Sequence, residues 1–118
     1  MSDSKSTEDV IDRGVFAELR ETAGADFVVE LVDEFLDEAP QLLARMHAAL
    51  AADDSAALRR AAHSLKSNGL TFGAPAFAAQ ARALELGDGE LLGRAGLARL
   101  ETLYAQVAAQ LKELCDDH

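Results

Sequence analysis

With 118 residues, 49% of them hydrophobic and only 5% aromatic, the chain has room for one domain with a real core, built from helices rather than strands. Its formal net charge of −10 argues against non-specific binding to nucleic acid or to an anionic membrane. No apolar run approaches the roughly 20 residues that span a bilayer, and the single cysteine, Cys115, excludes an internal disulfide and fits a reducing cytoplasm.

Residues 1–9 are polar, lack the apolar segment of a signal peptide and read as a disordered tail; residues 10–118 read as one domain. A short helix is predicted over about 12–22, with Asp12 as N-cap, Val15, Phe16 and Leu19 on its buried side and Gly24 as its stop. Asp26 is the expected cap of the next helix. Its apolar residues run Val28, Leu31, Val32, Phe35, Leu36, Ala39, Leu42, Leu43, Met46, Ala49 and Leu50, a three-four spacing held for about six turns. Pro40 lies inside this run and removes one helix hydrogen bond, so a kink is expected. His47 falls off the apolar positions and reads as an exposed helix histidine.

Asp53-Asp54-Ser55 is a turn and cap cluster, and a third helix follows to Phe72. Gly69 inside it points near the apolar face, where a close helix contact accounts for it. Gly73 supplies the stop, and Pro75 suits the first turn of a helix that buries Phe77, Ala81 and Leu84 and ends at Gly87-Asp88-Gly89. A last helix from about Glu90 carries Leu92, Leu100, Leu103, Tyr104, Val107, Leu111 and Leu114, with its first turns weakened by Gly93 and Gly96. The expected architecture is all-α: an antiparallel four-helix bundle with a short additional N-terminal helix.

His63 is the residue of chemical interest. At about 100° per residue, Arg59, Arg60, Lys66, Ser67 and Leu70 all fall within roughly 60° of its direction, while Leu58, Ala61, Leu65 and Phe72 lie opposite. A histidine thus stands at the centre of a polar face, among cations in an otherwise acidic chain. An imidazole in water titrates at about 6.5, so at neutral pH one ring nitrogen offers a lone pair that can attack phosphorus. Lys66, one turn on, is placed to offset the charge of the product, and Ser67 to donate a hydrogen bond. The helix presents the ring to a partner and encloses no pocket, which suits exchange between proteins better than turnover of a small molecule.

The stretch from His63 through Leu65, Lys66 and Ser67 to Gly73 resembles the motif of the histidine phosphotransfer (HPt) domain family: His-x-Leu-Lys-Gly/Ser, five residues, then Gly. Ser67 stands where glycine is commonest, but it is still small. The resemblance implies a phosphoryl carrier that takes its group from the aspartyl phosphate of one receiver domain and passes it to the aspartate of another. Response-regulator receivers are the implied partners, of a hybrid sensor histidine kinase and of a downstream regulator. The resemblance implies no ATP and no cofactor on this chain, with the catalytic Mg²⁺ held by the receiver. Arg59 and Arg60 would meet the receiver's acidic pocket, Leu70 would give an apolar contact, and Arg82 on the following helix would border the same surface. In several members of the family a polar residue, often glutamine, lies near the histidine at the spacing of Glu85. A carboxylate there is placed to fix the ring's tautomer, although a solvated helix-end charge is the plainer reading of Glu85.

Three other readings fit parts of the pattern. The dimerisation and phosphoacceptor domain of a sensor kinase usually carries an acidic residue directly after its histidine, and here Ser64 follows. The phosphoacceptor domain of a chemotaxis-type kinase shares the fold and suits Ala61-Ala62-His63-Ser64. A helical adaptor without phosphorylation explains the core but not the cations around His63. Cys115 reads as structural and His118 as a tail residue. Neither has ligand spacing to His63, so no metal site is expected. A cytoplasmic monomer is expected.

Overall fold

The computed structural model of the protein describes residues 10–87 and 90–116. The expected tail at 1–9, the Asp88-Gly89 stop, the burial of Leu92 and the role of His118 fall outside what it describes.

Five helices are present among the described residues: α1 (Arg13–Ala23), α2 (Ala25–Ala51), α3 (Ser55–Phe72), α4 (Pro75–Leu86) and α5 (Glu90–Asp116). Among the described residues, helices α2 to α5 pack as a ring in which each backbone lies against its two neighbours, and diagonal helices α2 and α4 meet through side chains at the centre; α1 lies against α2 and α3. This is the expected bundle, though α4 spans only 12 residues and is shorter than its three companions. No helix among the described residues is long and apolar enough to cross a membrane.

Each bundle helix sends one aromatic ring to the centre. Phe35 of α2 stands 5.4 Å from Phe72 of α3, 6.0 Å from Phe77 of α4 and 5.7 Å from Tyr104 of α5, between centroids. The periodic leucines and alanines fill the layers on either side. Ile11 and Leu97 also belong to the core: Leu97 continues the three-four spacing of Leu100, Tyr104 and Val107, whereas Ile11 lies ahead of the first helix, where no periodicity marks it.

Helix α2 is continuous through Pro40. A proline cannot donate to the carbonyl four residues back, which is that of Leu36. The hydroxyl of Tyr104, the only tyrosine in the chain, donates to that carbonyl at 3.5 Å. Burial pushes the phenol's pKa up, so it stays a donor.

Several local expectations are corrected. Asp12 does cap α1, accepting from the amides of Gly14 and Val15. Asp26, however, caps nothing: α2 begins at Ala25 because Gly24, at φ 97°, turns the chain one residue earlier, and Asp26 joins the first turn. Val15 is exposed rather than buried, and covers the backbone at Gly73, where an added Cβ would come within 2.8 Å of it. Leu19 is only partly buried, packed at the edge of the core.

Gly93 and Gly96 let α5 approach its neighbours closely. An added Cβ at Gly96 would sit 2.8 Å from Leu84, and the Gln80 side chain donates to the Gly96 carbonyl at 3.1 Å. Gln110, buried on α5, accepts from the amides of Val10 and Ile11 at 3.0 and 2.8 Å and ties the start of the domain to its last helix.

Candidate functional site

His63 lies midway along α3, and both ends of that helix are fixed locally. Asp54 caps the start by accepting from the Ala57 amide at 3.0 Å. At the other end Gly73 adopts a left-handed conformation (φ 77°, ψ 41°). The amide of Ala74 bonds to the Gly69 carbonyl at 2.8 Å and that of Gly73 to Leu70 at 3.3 Å, the paired bonds of a Schellman stop. Pro75 then opens α4 after one residue.

The register of α3 against α4 follows from this turn and from Gly69. A Cβ on Gly69 would stand 2.9 Å from the Phe77 ring and 3.1 Å from the Ala78 methyl. The two backbones therefore touch closely there. In an antiparallel pair, six residues back along α3 corresponds to about six residues onward along α4. That step leads from Gly69 to His63 on one helix, and from Phe77 and Ala78 to the neighbourhood of Glu85 on the other.

Glu85 does reach His63. Its Oε2 lies 2.8 Å from Nδ1 of the imidazole, and its Oε1, shut off from solvent, pairs with Nζ of Lys66 at 2.9 Å. The Lys66 ammonium first, and His63 second, hold the Glu85 carboxyl below the usual carboxylate range, against a smaller opposing push from burial. The group is therefore ionised at neutral pH and can only accept, so Nδ1 is the nitrogen that carries the proton. In the neutral ring that leaves the lone pair on Nε2. The His63 side chain is 58% exposed, against 20% for Glu85 and 22% for Lys66. The ring is thus more open to solvent than the two groups that hold it.

A shallow depression lined by Arg59, Arg60, His63, Ser64 and Glu85 opens beside the imidazole. Arg59 is steadied over the preceding turn, its Nη2 donating to Ser55 Oγ at 3.3 Å. A groove between α2 and α3, with Arg45, Ala48 and Ala49 on one wall, joins the depression through Arg60 and Ser64. Ser67 is exposed one turn beyond His63, and Leu70 further along is 62% exposed. Arg82 is exposed one turn before Glu85 and does not line the depression.

Sequence reading left two neighbours out. Ser64 lines both hollows, and Leu86, next to Glu85, is 65% exposed. A large apolar residue at the end of a helix was the available signal for Leu86.

The chain matches the Hpt domain family over residues 30–116. It belongs to that family, and is a histidine phosphotransfer domain of the kind that works in phosphorelays, where Hpt domains exchange phosphoryl groups with response-regulator receivers. Among solved structures it is similar to the crystal structure of histidine-containing phosphotransfer protein B (HptB) from Pseudomonas aeruginosa PAO1. The two are 29% identical with a TM-score of 0.77, over 92% of this chain and 96% of that one. No curated protein matches the chain.

Proposed function

We propose that His63 is the phosphoacceptor and that the chain shuttles a phosphoryl group between receiver aspartates. The observation that carries this is the ring's anchoring: Nδ1 is held by Glu85 at 2.8 Å, and Nε2 is free on a side chain more than half exposed. In the forward step the Nε2 lone pair forms a bond to phosphorus as the acyl-phosphate P–O bond of the receiver breaks, and the receiver's carboxylate leaves. The ring, now cationic, keeps its Nδ1 proton against Glu85, whose negative charge stabilises it. The return step reverses each bond. Lys66 holds Glu85 in place, and the small Ser67 keeps the approach open.

Arg59, Arg60, Leu70 and Arg82 face the incoming receiver, the cations toward its acidic pocket. The receiver brings the Mg²⁺, and this chain needs no cofactor of its own. It is a carrier rather than a turnover enzyme, a cytoplasmic monomer serving a hybrid sensor kinase and a downstream regulator. The test incubates the protein with a phosphorylated receiver and Mg²⁺. Acid-labile, alkali-stable label is expected on the wild type and none on His63→Gln. Equal labelling of the folded variant removes His63 from the role.

A further inference from the structure

The geometry points to Arg60, with the Ser64 hydroxyl beside it, as the holder of the phosphoryl group on Nε2, a task that sequence reading gives to Lys66. This rests on His63 being the phosphoacceptor. Three observations lead to it. First, Lys66 is already engaged: its Nζ is 2.9 Å from Glu85 Oε1, an oxygen closed to solvent. Drawing Lys66 away would leave that carboxylate without its counter-charge, next to a dianion.

Second, the ring is oriented. Looking down α3 at about 100° per residue, Lys66 lies roughly 60° to one side of His63, and its bond to Glu85 marks that side as the α4 side. Arg60 lies roughly 60° to the other side and Ser64 roughly 100°, toward α2. Nδ1 is turned to Glu85, so Nε2, on the opposite edge of the ring, is turned to the Arg60 flank. Like-charge repulsion from Glu85 pushes a phosphoryl group the same way.

Third, that flank is open and carries a cation. Arg60 and Ser64 line the depression beside the ring, which Arg59 and Glu85 also line. Arg60 has no ion pair or hydrogen bond among the described residues. A guanidinium can meet two phosphoryl oxygens at once, which an ammonium cannot do in the same geometry.

Phosphoramidate tests this without any partner protein. The Nε2 lone pair forms the new N–P bond, the P–N bond of phosphoramidate breaks, and ammonia leaves. ³¹P NMR then follows the ionisation of the bound phosphoryl group with pH. A cation held against it favours the dianion, so Arg60→Gln should raise the midpoint by about half a pH unit. Arg60→Lys should recover part of the shift, and Arg99→Gln, which removes a distant exposed cation on α5, should leave the midpoint in place. Lys66→Gln should move it less than Arg60→Gln does. A midpoint unmoved in Arg60→Gln, or moved more in Lys66→Gln, overturns the assignment and returns the group to Lys66. Failure of the wild type to take label, or label on His63→Gln, overturns instead the phosphoacceptor reading beneath it.

Discussion

Glu85 has two partners, and each accounts for a different effect of removing it. Its bond to Nδ1 fixes which nitrogen is nucleophilic; its pairing with Lys66 keeps it ionised. Glu85→Ala should release the ring into both tautomers, visible in the ¹⁵N shifts of the imidazole, and slow phosphoryl uptake about tenfold. Glu85→Gln keeps an accepting oxygen and should lose less. Stability should follow the carboxyl's depressed pKa. Its contribution is complete above the ordinary value of about 4.3 and is lost as pH falls through the lower folded value, so wild type and Glu85→Gln should differ at pH 7 and converge in acid. An Ala variant with an unchanged ring tautomer would remove Glu85 from the mechanism. His47 shows why a carboxylate alone does not make such a site. Its Nε2 lies 2.8 Å from Glu101, on the opposite side of the bundle, but among the described residues no Lys or Arg is paired with that carboxylate. From the sequence His47 has no partner at all, because Glu101 is 54 residues away. For Glu85 the resemblance supplied a position, and only the α3–α4 register decides that the carboxylate reaches the ring.

That register is a property of two elements, and Gly69 is where it is set. Gly69→Ala gains about 1 kcal/mol in helix propensity but forces a methyl to within 3 Å of Phe77 and against the Ala78 backbone. Overpacking of this kind costs about 1–3 kcal/mol, and backbone cannot swing aside as a side-chain tip can. A net loss of about 1 kcal/mol in urea unfolding is expected, with slower phosphoryl uptake as Glu85 is levered from His63. A variant as stable as wild type would mean that α4 slides without cost. The helices themselves were legible because their signals are local: apolar spacing, Asp12 and Asp54 before first turns, Gly73 before Pro75. What stayed hidden is contact between distant stretches. Tyr104 answering the carbonyl left by Pro40, and Gln110 holding the amides of Val10 and Ile11, depend on helices meeting. Val15 differs from expectation because Phe16 takes the core side of α1, while Val15 beside it covers the turn at Gly73.

At the scale of the molecule, charge is unevenly placed, and that governs how a receiver arrives. Six carboxylates (Asp26, Glu30, Asp33, Glu34, Asp37 and Glu38) crowd the first half of α2, while α3 carries Arg59, Arg60 and Lys66 and no acid. Because α2 and α3 run antiparallel, with His63 level with about residue 43, those acids stand about 8–26 Å along the axis from His63, and the cations within about 10 Å. At 0.15 M salt the Debye length is about 8 Å, so an acidic receiver docking at His63 feels the near cations and little of the far acids. At 0.01 M it is about 30 Å, and the net charge of −10 repels the receiver as a whole. Steering can change association rates by about tenfold or more, so both regimes are measurable. The bimolecular rate of phosphoryl transfer should rise from 0.01 M salt to a maximum near 0.1 M, where the Debye length is about 10 Å, and fall toward 1 M, where it is about 3 Å. A rate that climbs throughout would assign the encounter to net repulsion and leave the α3 cations no part in it. One that falls throughout would mean the acids of α2 are not felt even at long range, with local charge alone guiding the receiver to His63.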